Sequence, residues 1–160
     1  MRVYLVQHGL AKEKHEDIKR PLSAQGLKDV TRTAEFLSLF EKPKPARIMH
    51  SGVLRAEQSA LLFSQSWGGI CCEQVPGLGP NDDPSTWSAQ LASMHDDIML
   101  VGHLPYMQRL AGLLLCGDAE REAVHFRNGG VVSLERRESG WSIVWQINPT
   151  MLFGEHERPQ

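Results

Sequence analysis

Val3-Tyr4-Leu5-Val6-Gln7-His8-Gly9 is the stretch that decides how this chain is read. Val3 to Val6 is a short, unbroken apolar run, the pattern of a strand buried on both faces of a mostly parallel sheet. It stops at an amide, an imidazole and a glycine. In open α/β sheets the ligand crevice lies beyond the carboxyl ends of the strands. His8 is therefore expected where chemistry occurs, with Gly9 allowing a sharp turn behind it. The rest of the chain is expected to build a pocket around His8.

Outward from this strand, structure alternates. Ser23 can cap a helix over Ala24 to Phe40, whose Leu27, Val30, Ala34 and Leu37 recur at helical spacing. Lys42-Pro43-Lys44-Pro45 ends that helix as a stiff connector. Arg47 to His50 reads as a strand, and Ser51 as the cap of a second helix running from Val53 to about Ser66, closed by Gly68-Gly69. Ile70 to Val75 suits an edge strand, Pro76 to Pro84 a loop, and Pro84 to Met94 a third helix. Ile98 to Val101 is a second buried strand ending at Gly102-His103-Leu104-Pro105. A fourth helix follows to about Leu115, with Pro105 in its first turn. Gly130 to Arg136 and Trp141 to Ile147 form a hairpin about Glu138-Ser139-Gly140, and the pattern is lost beyond Asn148-Pro149, so residues 150–160 read as a loosely ordered tail. Strand–helix alternation predicts a three-layer α/β/α sandwich on a mostly parallel sheet. The 160 residues are expected to form one domain.

Composition narrows the function. A net charge of −2 gives no electrostatic footprint for nucleic acid or an anionic membrane, so neither is expected as a partner. No apolar run reaches the roughly 18–20 residues of a membrane helix, and the start of the chain lacks signal-peptide anatomy. Cys71, Cys72 and Cys116 have no metal-type or redox-type spacing and read as idle thiols of a reducing cytoplasm, the expected location.

The chemistry-bearing residues are those at strand ends and helix starts. His8 and His103 each follow a strand; Arg20 precedes the Ser23 cap, and Arg55 lies in the first turn after Ser51. In a parallel sheet all four fall on the same edge, together with helix N-termini. Two imidazoles and two guanidiniums around one crevice suit a phosphoryl group. Alone, each histidine is more often structural, and His15, His50, His95, His125 and His156 are left without a role.

At this point the chain resembles a family. Gln7-His8-Gly9 is similar to the Arg-His-Gly signature of the histidine phosphatase superfamily, which has the phosphoglycerate mutase fold. Arg20-Pro21-Leu22-Ser23-Ala24-Gln25-Gly26, the block from Ser51 to Ala60, and Gly102-His103-Leu104-Pro105 resemble its other motifs. The short length and motif wording are most like the bacterial signal-inhibitory phosphohistidine phosphatases. The resemblance covers roughly Val3 to Trp145. It implies that His8 is the nucleophile and becomes transiently phosphorylated. Arg55 grips the equatorial oxygens, Arg20 sits at the rim, and His103 donates to the same oxygens. Gln7 and Gly9 would line the phosphate site. The substrate implied is a phosphohistidine-bearing signalling or phosphotransfer protein, with no metal or cofactor required. A small-molecule phosphatase or mutase needs a carboxylic acid for the leaving group. The candidates are Asp82 and Asp83, in a loop of a kind that is ordinarily solvated.

Gln7 departs from the family arginine. A neutral amide in place of a bidentate guanidinium should cost about 1.5–3 kcal/mol, or roughly 10- to 150-fold in phosphoryl binding. Three explanations stand: a slow enzyme, a binding protein that has lost turnover, or an altered position in this particular sequence.

Overall fold

The computed structural model describes residues 1–40 and 44–152. Of the expected connector, residues 42 and 43 lie outside the described residues, as do residues 153–160 of the tail and His156. The elements in chain order are β1 (Arg2–Gln7), α1 (Ala24–Phe40), β2 (Arg47–His50), α2 (Leu54–Ser66), β3 (Cys72–Gln74), α3 (Pro84–Ser93), β4 (Ile98–Gly102), α4 (Tyr106–Cys116), β5 (Val131–Arg137) and β6 (Gly140–Ile147).

The strands form one sheet in the order β3-β2-β4-β1-β5-β6. The first four are mutually parallel; β5 joins β1 antiparallel, and β6 joins β5 antiparallel at the far edge. The expected three-layer arrangement is present. Tyr4 and Val6 face α1 and α2 and pack with Val30, Ala34, Ala60 and Phe63. Val3 and Leu5 face α3 and α4 and pack with Leu91, Met107 and Leu110. Because side chains alternate, a one-residue slip of β1 would exchange these two sets and bury neither correctly. The register Val6↔Val101 and Gln7↔Gly102 therefore brings the carboxyl ends of β1 and β4 level with each other.

Three local expectations need correction. Ser51 does not cap α2; the N-cap is Val53, with no side-chain hydrogen bond. The edge strand contracts to Cys72–Gln74, in register with Ile48 to His50, and one backbone hydrogen bond continues on each side, from the Ile48 N–H to the Cys71 carbonyl and from the Val75 N–H to the His50 carbonyl. The start of the tail is ordered as a 3-10 turn, Pro149–Leu152, with Leu152 packed against the core beside α1. Among the described residues no helix is long and apolar enough to cross a membrane, and the three cysteines are free thiols.

Candidate active site

The crest formed by the carboxyl ends of β1, β2 and β4 collects the predicted side chains. His8 continues β1: its N–H donates to the Gly102 carbonyl of β4 at 3.0 Å. Its own carbonyl accepts from Asn128 Nδ2 at 3.1 Å and shares the Gly129 N–H with that of Gln7. The loop after β1 then lies directly on α1. A Cβ on Gly9 would stand 2.6 Å from Val30 Cγ2, and one on Gly26 would stand 2.0 Å from the Leu10 carbonyl oxygen. Close approach, not a left-handed backbone, is thus what demands glycine at both positions. Ser23 closes the contact as the expected cap: its Oγ accepts the Gly26 N–H at 3.0 Å and donates to the Leu10 carbonyl at 3.0 Å.

The His8 ring is held from two sides. Nδ1 lies 2.7 Å from the Gly9 carbonyl oxygen, and the Arg55 Nε–H donates to Nε2 at 3.1 Å. A carbonyl can only accept and a guanidinium can only donate. The ring proton therefore sits on Nδ1, and Nε2 carries the lone pair, which accepts from Arg55. Burial pushes the His8 pKa down to about 4, with Arg55 and Arg20 adding to the fall against the Gly9 hydrogen bond. The imidazole is neutral at ordinary pH, as a nitrogen nucleophile must be.

α2 supplies three further groups. Arg55 presents its guanidinium to His8. Ser59, one turn on, donates to the Arg55 carbonyl at 2.7 Å and accepts the Gly9 N–H at 3.0 Å. Gln58 Oε1 accepts the Leu22 N–H at 2.7 Å, tying the Arg20 segment to the same helix. Arg20 holds a left-handed backbone, φ 47°, and its Nε–H donates to the Lys12 carbonyl at 3.1 Å. Burial and the charge of Arg20 lower the Arg55 pKa. Among the described residues neither arginine is paired with a carboxylate. Two cations converging without a counter-charge form a site for an anion.

β4 brings His103 to a ring-centroid distance of 5.0 Å from His8, edge to face. Burial, then His8 and Arg55, lower its pKa to about 4. Its Nε2 lies 2.6 Å from Ser51 Oγ, while Nδ1 is buried without a hydrogen-bond partner. Gln7 shares the α4 side of the sheet with Leu5, and its Oε1 is likewise buried without a partner. The crest thus gathers His8, Gly9, Arg20, Arg55 and His103, with Gln7 behind them. Gly9 contributes its carbonyl to His8, its amide being taken by Ser59.

Asp83 caps α3, accepting from the Ser85 N–H at 3.0 Å. Asp82 accepts the Gly79 N–H at 2.7 Å and lines an open groove of about 600 Å³ that begins at Ser51 and runs past Gln74 and Leu78. Arg127 lines a cavity with Leu10, Asp29 and Thr150, and its neighbour Asn128 bonds to the His8 carbonyl. Among the described residues no group of histidine, cysteine, aspartate and glutamate is arranged to hold a metal ion.

This fold is that of the histidine phosphatase superfamily. Alpha-ribazole phosphatase from Shigella flexneri superposes with a TM-score of 0.73 at 14% identity, over 89% of this chain and 94% of that one. Phosphoserine phosphatase from Entamoeba histolytica gives 0.67 at 16%, over 95% and 99%. The chain is also similar to SixA proteins. The protein histidine phosphatase SixA complexed with tungstate superposes with a TM-score of 0.82 at 26% identity, over 96% of this chain and 100% of that one. SixA from Agrobacterium tumefaciens gives 0.76 at 23%, over 92% and 97%. No family model and no curated protein matches the sequence.

Proposed function

We propose that this chain is a phosphatase that removes phosphate from phosphohistidine on a protein, by way of a phosphorylated His8. The observation that carries this reading is the state of His8: neutral, proton on Nδ1, lone pair on Nε2, held by Arg55 at 3.1 Å. In the first step Nε2 attacks phosphorus. The new N–P bond forms as the substrate's N–P bond breaks, and the departing imidazole takes the bonding electrons. In the second step water attacks the phosphorylated His8, Nε2 leaves with its electron pair, and inorganic phosphate is released with the proton lost by water. Arg55 and Arg20 neutralise the equatorial oxygens, and His103 donates to them.

The likeness to SixA supports phosphohistidine as the substrate, and so does the engagement of both candidate acids among the described residues, Asp82 with the Gly79 N–H and Asp83 with its helix. Asp83 is committed to capping α3. An imidazole leaving group needs less protonation than an alkoxide, so a site without an acid suits phosphohistidine better than a phosphate ester.

Gln7 supports a second reading, a phosphate- or phosphohistidine-binding protein with little turnover. The two readings separate in one assay: phosphate release from a phosphohistidine-bearing protein by the native chain, Gln7→Arg and His8→Ala. The enzyme reading expects native activity, raised by about 10- to 150-fold in Gln7→Arg and lost in His8→Ala. Release by Gln7→Arg alone would favour the binding protein.

A further inference from the structure

Ser51 follows β2 directly and is not used by the helix after it, whose N-cap is Val53. Its hydroxyl turns instead to the neighbouring parallel strand end, where Oγ lies 2.6 Å from His103 Nε2. The Val53 N–H approaches the same oxygen at 3.4 Å, occupying one lone pair and leaving one O–H and one lone pair for His103. His103 is 2% exposed, so solvent does not offer an alternative partner. The charged and titratable groups that bear on its ring are His8, from the loop after β1, and Arg55, from α2. Both disfavour a second proton on it.

A neutral imidazole has one donor nitrogen and one acceptor nitrogen, and a neighbouring hydrogen bond selects between the two tautomers. A phosphoryl dianion presents acceptors only. The nitrogen that serves it must therefore carry the proton, and Nε2 is already engaged. We infer that Ser51 is a positioning residue of the phosphoryl site: its O–H donates to His103 Nε2, which keeps the ring proton on Nδ1, free to donate to a phosphoryl oxygen. This inference rests on the phosphatase reading for its purpose, but not for its test.

The tautomer is read directly by nitrogen NMR of the full chain at neutral pH, without turnover. The expected native spectrum has His103 Nδ1 protonated and Nε2 bare, with inorganic phosphate perturbing the Nδ1 resonance. Ser51→Thr, which keeps the hydroxyl, should preserve this pattern, and Ser51→Ala should shift it toward a tautomer mixture. With a phosphohistidine protein as substrate, Ser51→Ala should lower kcat by about 10-fold, the worth of one hydrogen bond, with KM little changed and Ser51→Thr close to native. A native spectrum with Nε2 protonated would overturn the inference, and so would a Ser51→Ala spectrum identical to the native one. The native spectrum decides even if the alanine variant does not fold. An inactive chain with the expected spectrum would sink the phosphatase reading and leave the Ser51 assignment standing.

Discussion

The two ends of the same strands are built on opposite principles. At the amino ends of β1 and β4 the polar groups are consumed by one another. The Arg2 N–H donates to Asp97 Oδ1 at 2.5 Å, and the Ala46 N–H to the Asp97 carbonyl at 2.7 Å. Glu135 takes Arg137 at 2.7 Å and lies 3.8 Å from Arg2. Arg136 spends its guanidinium on the carbonyls of Leu91, Ala92 and Met94, which finish α3. At the carboxyl ends the balance is reversed. The charge of Arg20 bears on Arg55, and among the described residues neither is paired with a carboxylate; two imidazoles are held neutral, and Gln7 Oε1 and His103 Nδ1 are buried without partners. The amino end is satisfied and serves stability. The carboxyl end leaves donors and positive charge unspent, and these are what a phosphoryl group would use; the Gln7 oxygen, an acceptor, is not among them.

This contrast predicts which substitutions harm activity and which harm folding. His8→Ala should abolish turnover, by about 10⁴-fold or more as expected for a lost nucleophile, and change stability by less than about 1 kcal/mol. Steady-state kinetics and thermal melts on one sample check both halves; a large loss of Tm would blur the contrast. Arg136→Ala should do the opposite. It leaves the last carbonyls of α3 without their charged donor and should cost about 2–3 kcal/mol of stability, read by urea denaturation, with phosphate affinity unchanged.

A subtler difference lies in acid. His8 and His103 titrate near 4 in the folded chain, below the ordinary histidine value of 6.5. Between those values the unfolded chain binds protons that the folded chain refuses, so stability should fall as pH drops from about 6.5 toward 4. Above 6.5 the two histidines should contribute no pH dependence. Denaturation curves across this window should be visibly flatter for His8→Gln than for the native chain. Equal slopes would mean that the crest does not hold His8 neutral.

Local pattern carried much of this architecture. The bounds of α1 and β2 follow from a capping serine, helical spacing and a short apolar run, and the placement of His8 and His103 follows from strand ends alone. What was not legible is long-range. Ser51 looks like a helix cap because a serine before a helix ordinarily is one, and only the register of β2 with β4 shows that its hydroxyl belongs to His103, 52 residues away. Asn128 reaches the His8 loop across 120 residues, with no local signal to mark it. The antiparallel addition of β5 beside β1 is a pairing choice that periodicity does not encode. Gln7 was legible as a departure, but its buried, unpartnered oxygen was not.

The proposed reaction requires Nε2 of His8 to take a phosphoryl group from phosphohistidine. The direct measurement is to mix the native chain with a protein carrying radiolabelled phosphohistidine, quench within milliseconds, and map the label. Acid-labile label is expected on the peptide containing His8, chased to inorganic phosphate with time and absent from His8→Ala. Binding of the phosphorylated protein without label on His8, in both the native chain and Gln7→Arg, would contradict it.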